Sequence, residues 1–250
     1  MKQRLLATFL SLCLLVGLLP TVALAEESPA SETQGEASEQ QATATDSTLE
    51  TTTDLLSGKS TDGTMSGTCG ATEQDNVRWT LNKNGETVTI DGEPEDAYTL
   101  TISGTGAMMD YSNISSTPWV DFRSVITHVD LTEGLTTIGS RAFSATAVTT
   151  CRISSTVQEI KNDAFSSSKL AHVEFAAPSK LESIGAGAFW GTSELKMALV
   201  LPDSLKTIGN LAFQRSGITS VKFGENLKTI GANAFCSCPN LTGEVYLPDS

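Results

Sequence analysis

The chain has 250 residues, with 29 acidic against 16 basic side chains and a formal net charge of −13. An acid excess of that size repels nucleic acid and anionic membrane surfaces, so neither is an expected partner. Two histidines and five cysteines leave little material for a metal centre or a hydrolytic triad.

The first element in chain order is Lys2 and Arg4, an apolar run from Leu5 to Leu19, Pro20, and then Ala23-Leu24-Ala25. A basic start, a short apolar core and an A-x-A site define a secretory signal peptide over residues 1–25, cleaved after Ala25. A permanent anchor needs about 20 apolar residues, and this core is shorter. Cys13 is expected to leave with the peptide. The mature chain loses two cations and carries −15. Its expected location is outside the cell, secreted or on the surface.

Residues 26–66 hold Ser, Thr, Glu, Gln and Ala with no aromatic side chain. That composition buries too little apolar surface to offset the entropy of ordering it, so a disordered acidic spacer is expected. Order begins near Gly67-Thr68-Cys69-Gly70, and residues 67–124 read as a small β-rich cap. Arg78–Leu81, a turn at Asn82-Lys83-Asn84-Gly85 and Thr87–Ile90 have the alternation of a hairpin. After a polar loop at residues 91–96, a third strand is expected over Tyr98–Gly104. Trp79 and Trp119 are its expected core or edge-covering aromatics.

Residues 125–250 repeat, with five copies and part of a sixth. Ile138-Gly139-Ser140-Arg141-Ala142-Phe143 recurs as Ile160–Phe165, Ile184–Phe189, Ile208–Phe213 and Ile230–Phe235. A period of 22 to 24 residues with matched apolar columns is the signature of a solenoid. A short strand is expected before each motif. Its inward pairs are Val129 and Leu131, Cys151 and Ile153, Val173 and Phe175, Leu199 and Leu201, Val221 and Phe223, and Val245 and Leu247. Further apolar columns run through Ile126, Val148, Leu170, Leu195, Ile218 and Leu241, and through Leu135, Val157, Leu181, Leu205 and Leu227. The few apolar side chains of one repeat cannot offset the entropy of ordering it, so the copies must stack.

The pattern L-x-x-V-x-[LIF], then Leu or Val, then I-G-x-x-A-F resembles the BspA-type leucine-rich repeats of bacterial surface proteins; Leu201–Phe213 matches it closely. The lead-in, with Gly67–Gly70, Trp79–Leu81, Thr101–Met108 and Pro118-Trp119, is similar to the segment that precedes such repeats. The resemblance implies a right-handed superhelix of short parallel strands with brief helical turns. It also implies surface adhesion and binding of extracellular protein from a host or a neighbouring bacterium, with no partner fixed. Lys161 departs from the glycine of the other copies, and Cys151 from their aliphatic residue. Leu247-Pro248-Asp249-Ser250 repeats Leu201–Ser204 and stops, which reads as a truncated repeat.

No catalytic, metal or cofactor-binding residue is expected. His128 and His172 share one outward column with Thr150 between them, about 10 Å apart at two strand spacings, too far to chelate one ion. Cys69, Cys151, Cys236 and Cys238 read as packed or idle thiols, with Cys238 in the loop after the Ala-Phe motif, where this repeat type often buries a cysteine. The Asp91–Asp96 loop has carboxylates suited to calcium but no matching ligand spacing. The expected binding face is the outward column Asp130, Arg152, Glu174, Val200, Lys222 and Tyr246, with Trp190 in a repeat loop as an aromatic anchor. The expected function is a non-catalytic extracellular binding module. The alternative is the targeting or spacing region of an exported enzyme whose catalytic domain lies beyond residue 250.

Overall fold

The computed structural model describes residues 4–5, 58–59, 65–242 and 245–246. Apart from Arg4–Leu5, the expected signal peptide lies outside the described residues, as do nearly all of the acidic spacer and Leu247–Ser250.

The lead-in opens with the strand Met65–Thr68, antiparallel to the long strand Asn76–Ile90, which in turn pairs with Glu93–Ala107. Here the structure corrects the expected hairpin. Asn82–Gly85 does not reverse the chain; it forms an irregularity in register between Lys83 and Thr87, with the Asn84 side chain accepting the Glu86 N–H at 3.0 Å. The reversal occurs at Asp91-Gly92, whose φ angles of 52° and 92° supply the two left-handed positions of a tight hairpin turn. Residues 93–96, expected in a polar loop, instead pair with Thr87–Ile90 as strand.

The strand Glu93–Ala107 then serves as the first rung of everything that follows. Leu100 and Ile102 sit in parallel register with Val129 and Leu131, while Gly106 and Ala107 pair with Leu135 and Thr137. Both β-ladders of the solenoid therefore start from one strand. The bend between its two halves contains Gly104 at φ 103°, where an added Cβ would lie 1.8 Å from Asn76 O. Only glycine fits that close approach.

Each repeat adds one strand to each ladder. The first ladder includes Ile126–Leu131, Thr150–Ile153 and His172–Phe175, followed in a separate sheet by Ala198–Val200, Ser220–Lys222 and Val245–Tyr246. The second runs unbroken through Leu135–Ile138, Glu159–Ile160, Ser183–Ile184, Thr207–Ile208 and Thr229–Ile230. The repeat strands pair with one another in parallel. The brief helical segments expected in the repeats are stacked turns instead. The described 3-10 helices, Ile114–Ser116 and Val120–Phe122, belong to the lead-in.

The turns stack because each repeat holds two residues in the left-handed region, four positions apart. They are Arg141 and Ala145, Asp163 and Ser167, Gly187 and Gly191, Leu211 and Arg215, and Asn233 and Ser237. A left-handed side chain costs about 1–2 kcal/mol, yet the conformation aims the N–H of that residue at the next repeat. Arg141 N–H donates to Asn162 O at 3.1 Å, and Ala145 N–H to Ser166 O at 2.8 Å. Between these two bonds Phe143 N–H donates to Ala164 O at 2.8 Å. The set recurs along the stack, so backbone hydrogen bonds that a helix would make within itself run between coils.

The apolar columns close the core. Phe143, Phe165, Phe189 and Phe213 are fully buried and stack with Phe235 at centroid separations of 5.0 to 5.2 Å. Beneath them Thr146, Ser168 and Thr192 are buried, each hydroxyl donating to the carbonyl of the Phe three residues earlier at 2.7 to 2.8 Å. Ser216 holds that position after Phe213, and Cys238 of the following coil reaches back, its thiol donating to Phe213 O at 3.0 Å and meeting the Ser216 hydroxyl at 3.4 Å. Among the expected inward residues, Phe175, Leu227 and Leu241 are half-buried rather than buried. Ile230, on the last rung of the second ladder, is 39% exposed, whereas Ile138, Ile160, Ile184 and Ile208 are at most 1% exposed.

Candidate binding surfaces

Alternation along the short strands turns one residue in two away from the core. The parallel register carries these residues into columns: His128, Thr150 and His172 form one, and Asp130, Arg152 and Glu174 the next. All three members of the charged column are exposed. Arg152 Nε lies 3.6 Å from Glu174 Oε1, an exposed pair whose contribution to stability is small. Val200 pairs with Lys222, and Lys222 with Tyr246, in the same way. Val200 stands 58% exposed, and Lys222 is exposed. The side chain of Tyr246 lies outside the described residues.

The six positions do not form one continuous column. The strand His172–Phe175 belongs to one sheet and Ala198–Val200 to another. The interruption has a sequence origin. Phe165 to Phe189 and Phe189 to Phe213 are steps of 24 residues rather than 22. The first step carries two extra residues in Ala176–Lys180, and the second carries one extra residue on each side of Leu195. These additions displace the first ladder while leaving the second intact. The signal was present in the spacing, but its location on one ladder was not.

At the other end of the face the lead-in leans over the first repeat. Asn84 Nδ2 donates to Thr127 Oγ1 at 3.0 Å and lies 3.2 Å from His128 Nδ1, with Glu86 Oε2 3.6 Å from the same ring nitrogen. The irregularity that replaces the expected turn thus fixes the edge of the outward columns.

Trp190 stands apart from the strand columns. It follows Phe189 in the turn stack and borders a concavity of about 350 Å³ with Arg141, Asn162, Asp163, Ala186 and Gly187. Its indole N–H donates to Gln214 Oε1 at 2.9 Å, and the Arg215 guanidinium lies 5.5 Å from the ring centroid. The residues read together as one face therefore occupy two surfaces.

Among the described residues no group of three or more His, Cys, Asp or Glu side chains is placed to hold a metal ion. Burial drives the thiol pKa of Cys69 up to about 12 and raises that of Cys151 and Cys238; such thiols are poor nucleophiles at neutral pH. No helix among the described residues is long and apolar enough to cross a membrane.

Stacked coils with parallel strands, a recurring Ile and Phe interior and turns in place of helices define a leucine-rich-repeat solenoid. The BspA type leucine rich repeat region matches residues 121–245 in six copies, and the chain belongs to that family. No curated protein matches the chain. Among solved structures it is similar to a leucine-rich repeat protein from Eubacterium ventriosum, at 28% identity and a TM-score of 0.59 over 70% of this chain. The match covers 42% of that protein, so this chain spans less than half of its length. The pneumococcal vaccine antigen PcpA matches over 68% of this chain and 48% of its own at 18% identity and a TM-score of 0.34. A leucine rich cell surface protein from Faecalibacterium prausnitzii matches over 65% and 51% at 18% identity and a TM-score of 0.27.

Proposed function

We propose that this chain is a non-catalytic, extracellular recognition module that binds protein through its outward strand face. The observation that supports the reading most is the run of Asp130, Arg152 and Glu174 on consecutive rungs. Exposed charges held at fixed rung spacing add little to stability, but they offer a partner a rigid, preordered pattern. Val200, an exposed aliphatic residue beside Lys222, adds an apolar contact on the far side of the ladder break. The signal-peptide pattern of residues 1–25 supports export, and the family's association with bacterial surfaces supports a role there.

The test is saturable binding of the purified chain to immobilised host matrix proteins and to bacterial surface extracts. Replacing Arg152, Glu174, Val200 and Lys222 together by alanine is expected to abolish binding without lowering the melting temperature by more than a few degrees. Undiminished binding by that variant rejects the strand face as the contact surface.

A further inference from the structure

The concavity beside Trp190 has no part in strand-face binding, and its chemistry suits a different ligand. Its aromatic wall is preorganised: the indole N–H is held by Gln214 at 2.9 Å and the ring carries the Arg215 guanidinium 5.5 Å from its centroid. Two small residues, Ala186 and Gly187, line the concavity as well, with Gly187 at φ 61°, a conformation that favours glycine. A Cβ added there would come within 2.5 Å of Asp163 Oδ1. The charges at the rim are already matched, since Arg141 Nη2 lies 3.3 Å from Asp163 Oδ2. Asn162 uses its Oδ1 to accept the Ala186 N–H at 2.8 Å and keeps its amide NH₂ as a donor.

We propose that this concavity is a binding subsite for a pyranose ring of a neutral carbohydrate. A sugar ring has one apolar C–H face and a rim of hydroxyls. A fixed indole beside the Asn162 amide and the mutually paired Arg141 and Asp163 complements both features. An ionic ligand would have to compete with the Arg141–Asp163 pair, and a purely apolar one would desolvate the free Asn162 amide donor without supplying an acceptor. The 350 Å³ volume lies at the small end of ligand sites, about 300–1,000 Å³, which suits one or two rings. No residue of the outward strand columns lines the subsite, so it stands or falls independently of the protein-binding role.

The experiment titrates the full chain with maltotetraose, chitotetraose and mannotetraose, reading intrinsic tryptophan fluorescence and saturation-transfer NMR. Trp79 and Trp119 are 8% and 0% exposed, so a saturable fluorescence change reports on Trp190. Binding of at least one oligosaccharide at millimolar concentration is expected, weakened about tenfold or more by Trp190→Ala and by Ala186→Gln. The second variant obstructs the concavity without touching the indole, and Arg152→Ala should leave binding unchanged. No binding of any of the three up to about 10 mM, or binding that survives both turn-face variants, overturns the proposal. Binding confined to an anionic sugar such as sialyllactose overturns it as well.

Discussion

Trp119 stacks on Phe143 with ring centroids 5.9 Å apart and an interplanar angle of 18°, and its indole N–H donates to Ala142 O at 3.0 Å. Trp119 precedes Phe143 by 24 residues, the same step as two of the later Phe intervals. The aromatic column of the repeats thus begins inside the lead-in, and this tryptophan is its terminal plug. Trp79 and Tyr111 close on its edges at 6.2 and 5.7 Å.

If Trp119 seals the stack, Trp119→Ala should lower unfolding stability by about 3–5 kcal/mol in urea titrations. Trp119→Phe keeps the ring but orphans Ala142 O and should cost nearer 1–2 kcal/mol. Equal effects of the two changes would show that the stack itself contributes little.

The left-handed turn positions predict effects of opposite sign at equivalent sites. Ala145 is exposed and left-handed at φ 54°, so Ala145→Gly relieves about 1–2 kcal/mol of strain against about 0.5–1 kcal/mol of added chain entropy. A small rise in melting temperature is expected. Gly191→Ala, at φ 69°, should lower it. A rise in both variants contradicts the account.

At Gly209 an added Cβ would sit 2.5 Å from Ala186 N and 2.6 Å from Gly185 C. Gly209→Ala must push two coils apart and should destabilise by about 1–3 kcal/mol. The equivalent position in the second repeat carries Lys161, whose Nζ donates to Asp110 Oδ2 at 2.8 Å. Lys161→Gly should therefore change stability by no more than about 1 kcal/mol. Thermal unfolding of the two variants side by side separates the cases.

Asp75 pins the bend of the first rung. Its Oδ1 accepts the Ala107 N–H at 2.8 Å, and its Oδ2 accepts from Thr72 N and Oγ1 at 3.0 and 2.8 Å. The backbone bond from Ala107, followed by those from Thr72, lowers its pKa. A carboxylate held below its unfolded value stabilises the fold above that value, near pH 4, and the contribution disappears as pH falls through the folded value. Asp75→Asn should flatten this part of the acid-unfolding profile. A profile identical to that of the parent protein would remove Asp75 from the account.

Cys151 lies on the inward column between Val129 and Val173 and is 3% exposed. It behaves as a small apolar residue. Cys151→Val should be neutral or stabilising, whereas Cys151→Ser places a hydroxyl in an apolar column and should cost about 1–3 kcal/mol. In native thiol labelling at neutral pH, Cys69, Cys151 and Cys238 should react only on unfolding. Rapid modification of any of the three without loss of structure would contradict their burial.

The stacked fold was legible in the residues because the physical demand is local and repeated. Every coil needs the same Ile and Phe at the same place, and the five I-G-x-x-A-F segments state that demand openly. Weaker local signals misled: Asn84-Gly85 has the composition of a turn, yet Asp91-Gly92 makes it, because pairing of Thr87–Ile90 with residues 93–96 adds ladder bonds that an earlier reversal would forfeit. Trp119 as a member of the Phe column also went unseen, since its neighbours share no I-G-x-x-A-F pattern.

What the chain alone determined was the period, the inward columns and the outward alternation, all properties of residues close in sequence. Only the tertiary structure decided that Glu93–Ala107 starts both ladders, that the first ladder breaks between Phe175 and Ala198, and that Trp190 faces a concavity apart from Arg152 and Glu174. Those outcomes depend on how successive coils are offset against one another. That offset is set by backbone hydrogen bonds between residues 21 to 25 positions apart, a separation at which no single segment specifies its partner's position.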